Sequence, residues 1–541
     1  MFKKIAEFFR VIGDLKYLIP LLRYKFPDPD DNASLAHSFQ ETVNNFGNNN
    51  FIYFESETWT YAETNEAANK LAHKLAEDGI CHSDRVVLFM ENRSDYIITI
   101  LALNKIGAIG VLINTSLTGK PLIHCINSSD SKKCIVGAEL ASSLEDVLDD
   151  INISDKSDIY WVKDGDKFLC PDWASNLKLL LDDSKIENLD MTDMVTAKDT
   201  AFYIFTSGTT GVPKAALFPN SKIIAASINI TKGGYRMDDS DCMYNCLPLY
   251  HSTGLMLGLC ACVQAGAATF IRRKFSASSF WKEAKQFNTT AFVYVGELCR
   301  YLSFQDPSDE EKNNPISKMV GNGLRPDLWD SFRNRFNVER IIEIYGASEG
   351  NALFMNLLNK DETIGMTNAR VGIFEYDVAE DKLVKNEDGK YIEVEENQPG
   401  LLLVEIGPNA IYNGYTDKKA SEEKVITNVF EKGDRWFNTG DLIKTMDVGF
   451  ALGRKHYQFV DRVGDTFRWK AENVSTNEVA EILNLYDQVN MANVYGVKIP
   501  KSEGRAGMVA FNCSLDNFNW ENFSSFVSEK LPSYAQPVFV R

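Results

Sequence analysis

IFTSGTTGVPK, residues 204–214, packs hydroxyls, two glycines and a lysine into eleven residues directly after the apolar run Ala201 to Phe205. A strand that ends in such a loop turns backbone N–H groups and side chains toward one point, where a polyphosphate can be surrounded. The spacing differs from the P-loop of nucleotide triphosphatases, because Pro213 stands where that motif has its second glycine and Ala215 follows the lysine. Taken by itself the run also reads as a solvated Ser/Thr/Gly turn. The rest of the chain decides between the two.

With 541 residues the chain exceeds one ordinary core and predicts a large body of subdomains plus a smaller unit. A 44% hydrophobic share with 24% charged residues is that of a globular protein. The net charge of −18 argues against nucleic acid, which needs a basic excess on the protein surface. Any phosphate site is therefore local. Ten scattered cysteines, without paired clusters or a secretory leader, read as reduced core thiols of a cytoplasmic protein. Cys242 with Cys246 and Cys260 with Cys262 lack zinc-ligand spacing.

Two segments raise the question of a membrane. Gly254 to Ile271 carries no charge, but Gly258, Gln264 and Gly266 interrupt it, which favours a buried helix handing over to a strand at Gly266. Near the N-terminus Phe2, Ile5, Phe9, Ile12, Leu15, Ile19 and Leu22 recur at three- and four-residue steps, with Lys3, Lys4, Glu7, Arg10 and Asp14 off that line. Charges at 7, 10 and 14 exclude a signal-peptide core and suit a helix, residues 1–26, lying on a membrane face. The same periodicity fits a helix packed on its own domain.

Between Phe51 and Ile271, strand-like runs (85–90, 109–114, 133–136, 158–162, 201–205) alternate with helical patterns (64–78, 94–106), which predicts mainly parallel sheets covered by helices. The alternation continues through 280–287, 290–295 and 340–345. From Gly372 to Gly407 short alternating strands with a turn at 387–390 predict a small antiparallel, barrel-like unit. The expected organisation is α/β: a body of two αβ subdomains and a small β-barrel over 31–462, then a small mobile α+β domain over 463–541. Gly464, free of a Cβ, is a candidate swivel between them, or an ordinary turn glycine.

Further motifs follow the loop in order: LPLYHSTG (247–254), GNGLR (321–325), IYGASEGN (344–351), FNTGD (437–441) and DRVGDTFRWKAENVSTNE (461–478). Together they resemble the adenylate-forming enzymes, the superfamily of acyl-CoA synthetases, peptide-synthetase adenylation domains and luciferases. YVGELCRYL (294–302), GNGLRPDLW (321–329) and GDTFRWKAENVST (464–476) resemble the very-long-chain acyl-CoA synthetases, also called fatty acid transport proteins. The resemblance extends from about residue 31 onward.

The resemblance implies roles residue by residue. Thr206, Ser207, Gly208, Thr209, Thr210, Gly211 and Lys214 match the loop that holds the β- and γ-phosphates of ATP. Glu349 matches a Mg²⁺ ligand, as a hard oxygen donor, with Ser348 beside it. Gly321, Asn322 and Gly323 match the far wall of the adenine and acyl pocket. Tyr345, followed by Gly346, offers a ring face to adenine, though a core tyrosine fits the sequence equally. Asp441 matches the acceptor for both ribose hydroxyls and Arg462 the donor opposite; a surface ion pair is the alternative. His251 matches a residue on the acyl-carboxylate side, or is a core histidine. Lys470, Ala471 and Glu472 fall on the CoA side. Glu297 begins a helix near the acyl tunnel and is given no catalytic role.

Two departures from the family pattern bear on activity. Ala471 replaces a glycine where the backbone approaches the CoA arm. The family also carries, beyond a segment matching Leu531 to Arg541, a lysine that contacts the α-phosphate, so the expectation is an incomplete C-terminal domain with impaired adenylation. The implied reaction joins a long- or very-long-chain fatty acid to CoA through an acyl-adenylate, with ATP, Mg²⁺ and CoA, on a peripheral membrane face in the cytoplasm. Two alternatives are an impaired fatty-acid-binding or transport-associated pseudoenzyme and an enzyme that loads a carrier protein.

Overall fold

Helix starts in this chain follow from side-chain caps. Thr60 accepts from the Glu63 backbone while the Glu63 carboxylate accepts from the Thr60 backbone at 2.8 Å, a reciprocal box that opens helix Tyr61–Glu77 three residues before its apolar periodicity becomes visible. The computed structural model describes residues 2–153, 155–181, 184–206, 213–347, 350–378, 380, 382–407, 410–463, 466–469, 472–499, 505–513 and 518–541.

Two large sheets form the body. The first has seven strands in the order 175–176, 159–162, 133–137, 85–89, 109–112, 200–206, 214–219, all parallel except the last, which folds back antiparallel on its neighbour. Val86 and Leu88 point into one core and Val87 and Phe89 into another, so both faces are covered and the strands read as continuous apolar runs. The second has eight strands in the order 354–355, 340–345, 318–322, 291–295, 242–245, 268–271, 50–54, 57–60, parallel but for its two outer pairs. Helix Ser94–Lys105 is buried at every position except Asp95, in the apolar core that the two sheets share.

The charge-free run is a core element, as its glycines suggest. Wide-turn helix Thr253–Leu259 continues into helix Cys260–Ala265, Gly266 takes a left-handed φ of 71° that ends it, and strand Ala268–Ile271 follows. Among the described residues no helix is long and apolar enough to cross a membrane. Cys125, Cys134, Cys242, Cys246, Cys260, Cys262 and Cys299 are buried thiols.

The antiparallel unit comprises strands 371–374, 400–405, 425–427, 435–446 and 456–462: the long strand 435–446 pairs with 400–405, 425–427 and 456–462, and 371–374 pairs with 400–405. Its two faces bury separate cores, Leu402 and Ile443 on one side and Leu401 and Trp436 on the other. After it comes an α+β unit: helix Thr476–Asn484, antiparallel strands Val489–Val497 and Ala506–Cys513, helix Trp520–Lys530 and strand Phe539–Val540.

The N-terminal periodicity is a single helix, Phe2–Arg23, and its orientation inverts the usual pattern. The charged side faces the body: Glu7 pairs with Lys360, the Arg10 guanidinium donates to the Leu358 carbonyl at 2.8 Å, and Asp14 meets Arg236 at 2.7 Å. Val11, Leu18 and Leu21 are buried among them. The apolar line points outward, with Phe9 66% and Leu22 70% exposed and Ile5, Ile12 and Ile19 exposed beside them. The helix is thus packed on its own domain and still presents an unburied apolar stripe.

Candidate functional site

Strands 200–206 and 214–219 form an antiparallel hairpin whose ends, Thr206 and Lys214, pair in register. The tip that joins them holds Ser207, Gly208, Thr209, Thr210 and Gly211, which lie outside the described residues. Pro213 is held at its carbonyl by the His124 ring at 3.0 Å. The Lys214 ammonium stands 5.9 Å from the Tyr415 ring centre, and Ala215 and Ala216 pair with the backbone of Tyr415 and Thr416. Segment 410–416 thereby fastens the hairpin, and its other end accepts from Asn351 Nδ2 at Ala410 O, 3.1 Å. This brings the hairpin and the 344–351 motif to one edge of the body. Ser348 and Glu349 lie outside the described residues.

A second group forms where strands of the central sheet end. Tyr345, the last residue of strand Arg340–Tyr345, donates its hydroxyl to Asp441 Oδ2 at 2.6 Å. Asp441 is 8% exposed and stands opposite Arg462 in the 435–446/456–462 pairing. The Arg462 Nε lies 3.6 Å from Asp441 Oδ1, while the arginine is 70% exposed. At that distance and exposure the pair is a loose electrostatic contact. Gly440, at φ 74°, makes the turn that presents Asp441. Gly346 follows Tyr345, with the Ala352 carbonyl close behind it.

Gly321 and Asn322 end strand Lys318–Asn322 next to this group, and Gly323 adopts φ 81°. A Cβ on Gly321 would lie 2.1 Å from the Tyr294 carbonyl, and one on Gly296 would lie 1.6 Å from the Gly323 carbonyl. These glycines let three backbones meet.

Other expected residues fall elsewhere or out of view. His251 sits in the turn before helix Thr253–Leu259, beside Tyr250 with ring centres 4.5 Å apart. Desolvation by the surrounding protein holds its imidazole below the ordinary histidine range. Among the described residues no hydrogen bond ties it to Tyr345, Asp441 or Lys214. Gly464, Lys470 and Ala471 lie outside the described residues; Glu472 opens strand Glu472–Val474. Among the described residues no cluster of three His, Cys, Asp or Glu side chains forms a metal cage.

Two positions went unnoticed in the sequence. Asp461, fully buried, accepts from Ser475 Oγ at 3.0 Å, the Thr476 backbone at 2.8 Å and Asn477 Nδ2 at 3.0 Å, so it ties the end of the antiparallel unit to the start of helix Thr476–Asn484. Glu343 lies fully packed in strand Arg340–Tyr345. The signal for both was available: a carboxylate inside an apolar strand needs a partner.

Comparison with known proteins shows the family and the fold. Residues 39–416 match the family model of AMP-binding enzymes. The chain is 37% identical over 514 residues to a medium/long-chain-fatty-acid–CoA ligase, FadD6, of Mycobacterium tuberculosis (strain ATCC 25618 / H37Rv), covering 95% of this chain and 83% of that protein. It is 37% identical over 505 residues to long-chain fatty acid transport protein 6 of Mus musculus, covering 91% and 79%. The fold superposes on the anthranilate CoA ligase AuaEII in complex with anthranoyl-AMP with a TM-score of 0.77 at 16% identity, over 96% of this chain and 94% of that one. The overlap takes in the α+β unit after residue 462, so that unit is part of the shared fold.

Proposed function

Because this chain belongs to the AMP-binding enzyme family, we propose that it is a fatty acid–CoA ligase that works through an acyl-adenylate. The observation that carries the reading is the grouping of Tyr345, Asp441 and Arg462: a ring, a carboxylate and a guanidinium where strands 340–345, 435–446 and 456–462 meet. Its relatives by sequence are a fatty-acid–CoA ligase and a fatty acid transport protein, which favours a long aliphatic acid as substrate.

In the first half-reaction a carboxylate oxygen of the fatty acid attacks the α-phosphorus of ATP in line, the bond to pyrophosphate breaks, and pyrophosphate leaves with its electron pair. In the second the CoA thiolate attacks the acyl carbonyl and AMP departs. No protein nucleophile is required; positioning and charge neutralisation carry the catalysis. Thr206 and the 207–211 tip cradle the β- and γ-phosphates and Lys214 neutralises them. Asp441 accepts the ribose hydroxyls, Arg462 closes over them, and Tyr345 with Gly346 and the 321–323 turn encloses adenine. His251 lines the acyl-carboxylate side. Glu349 is the proposed magnesium ligand, supplying an anionic oxygen to a cation that offsets phosphate charge. Lys470, Ala471 and Glu472 border the CoA arm.

The test is product analysis with ATP and a long-chain fatty acid, with and without CoA. The reading expects acyl-CoA and AMP with CoA, and acyl-AMP and pyrophosphate without it. Acyl transfer only to a carrier protein would favour the loading alternative, and fatty-acid binding without turnover the pseudoenzyme. The half-reactions are best followed separately. Gly464 is the proposed swivel between them: Gly464→Pro is expected to slow thioester formation from supplied acyl-AMP at least tenfold while ATP affinity stays near that of the parent. Equal thioester rates would reduce Gly464 to a turn.

The outward stripe of the N-terminal helix supports peripheral docking on a lipid surface. Its outward charges, Lys16 and Arg23, are cationic, whereas Glu7 and Asp14 are turned inward and paired. This segregation suits anionic headgroups with apolar side chains sunk below them. Burying one such side chain contributes about 1.5–3 kcal/mol. Phe9→Ser with Leu22→Ser is therefore expected to weaken sedimentation with phosphatidylserine vesicles at least tenfold, leaving melting temperature unchanged. Undiminished vesicle binding would remove the stripe from the account.

A further inference from the structure

Tyr294, Gly321 and Glu343 stand side by side across three neighbouring parallel strands, Gly321 pairing with Tyr294 on one side and Glu343 on the other. In a sheet, such a row puts three side chains on one face. The middle member has no side chain, so the Tyr294 ring reaches across it; a Cβ there would come 2.7 Å from Tyr294 Cγ. The Tyr294 hydroxyl donates to Glu343 Oε1 at 2.6 Å. The same oxygen accepts from the Leu324 backbone at 2.8 Å, and Oε2 from the Gly323 backbone at 2.9 Å. One buried carboxylate thus holds both N–H groups of the turn that leaves strand Lys318–Asn322.

The elements it joins lie on both sides of the proposed pocket. Two residues after Glu343 comes Tyr345, and two residues after Tyr294 comes Gly296, which opens helix Gly296–Ser303 and touches the Gly323 carbonyl. Among the described residues no lysine, arginine or histidine pairs with Glu343. A carboxylate buried without a cation is costly and is retained only where its hydrogen bonds are well satisfied. A polar strand position serving only the core is filled more stably by an apolar residue.

We propose that Glu343 is a positioning residue for the nucleotide: its carboxylate fixes the 321–324 turn as a pocket wall and locks that wall to the acyl-side helix through Tyr294. The proposal rests on the ligase reading above and names what sets the geometry of its ATP pocket. Burial pushes the Glu343 carboxyl up to about 7, while the bonds from Tyr294, Leu324 and Gly323 hold it down. The titratable groups facing it, Tyr294 on strand Ala291–Val295 and Cys299 on helix Gly296–Ser303, are held neutral by burial, as is Tyr235 beside Tyr294. On its own strand Tyr345 is engaged with Asp441, and Arg340 donates to the Gly233 carbonyl at 2.7 Å. Protonation near neutrality therefore falls on Glu343, and one oxygen then becomes a hydroxyl, a donor and a weaker, uncharged acceptor. The turn loosens as pH falls.

The experiment compares the parent chain, Glu343→Gln and Tyr294→Phe in ATP-dependent acyl-CoA formation from pH 5.5 to 9, with melting temperatures measured in parallel. The parent should lose kcat/KM for ATP on the acid side of about pH 7. Glu343→Gln, equal in shape but without charge, should raise KM for ATP about tenfold with kcat within about threefold, and should lose that limb. Tyr294→Phe removes one bond to the anion, so its limb should move to higher pH with a smaller rise in KM. Parental KM and pH profile in both variants, with only a lower melting temperature, would overturn the proposal. Should Glu343→Gln fail to fold, an unmoved limb in Tyr294→Phe would overturn it and a shifted one would support it. A parent chain that forms neither acyl-AMP nor acyl-CoA would fell the ligase reading itself, and this inference with it.

Discussion

Replacing Asp441 by alanine is expected to lower kcat/KM for ATP by roughly 10²-fold or more. The carboxylate is nearly buried, presented by a glycine turn, and already holds the Tyr345 hydroxyl at 2.6 Å. As the proposed acceptor for ribose hydroxyls it makes charge-assisted bonds, each worth about 1.5–3 kcal/mol, and 1.4 kcal/mol is tenfold in binding. The loss also strands the Tyr345 phenol, whose proton burial and the Asp441 charge hold firmly in place. Tyr345→Phe keeps the ring and removes the hydroxyl alone, so its effect should stay near tenfold or less. Steady-state kinetics at varied ATP separates the two. An Asp441→Ala variant within threefold of the parent would mean that the ribose is held elsewhere and that Asp441 and Arg462 form only a surface pair.

Lys214→Ala is expected to weaken ATP binding about 10- to 10²-fold and to leave AMP binding nearly unchanged. Lys214 starts the second strand of the hairpin, and the Tyr415 ring beneath its ammonium limits where it can point. As the proposed phosphate ligand it interacts with the β- and γ-phosphates, which AMP lacks, and losing a charged hydrogen-bond partner costs about 1.5–3 kcal/mol. Calorimetry with both nucleotides reads the difference directly. Equal losses for ATP and AMP would instead show that the substitution disturbs the hairpin as a whole, and equal affinities would sink the phosphate role.

What the sequence disclosed depended on the range of the interactions involved. Strands 85–89, 109–112 and 133–137 were legible because burial on both faces leaves continuous apolar runs. Gly266 was legible because a left-handed helix end selects glycine. The start of helix Tyr61–Glu77 was missed although Thr60 and Glu63 carry the capping spacing. The N-terminal helix was legible as a helix with two faces; which face packs inward was not, because that choice is made by Lys360 and Arg236, hundreds of residues away. The same holds at the site. Tyr345, Asp441 and Arg462 were singled out by motif, but the bond between Tyr345 and Asp441 spans 96 positions and leaves no local trace. Glu343 sits in an otherwise apolar strand, where its exception to the pattern was the available signal.

The most direct test of an acyl-adenylate pathway follows oxygen. A long-chain fatty acid labelled with ¹⁸O in both carboxylate positions, incubated with ATP and CoA, passes one carboxylate oxygen to phosphorus when it attacks the α-phosphate. Mass spectrometry of the released AMP should therefore show one ¹⁸O per molecule, with pyrophosphate unlabelled. Label in inorganic phosphate alongside ADP would place the attack at the γ-phosphorus, and unlabelled AMP would mean that no bond forms between the carboxylate and the α-phosphorus; either result contradicts the account.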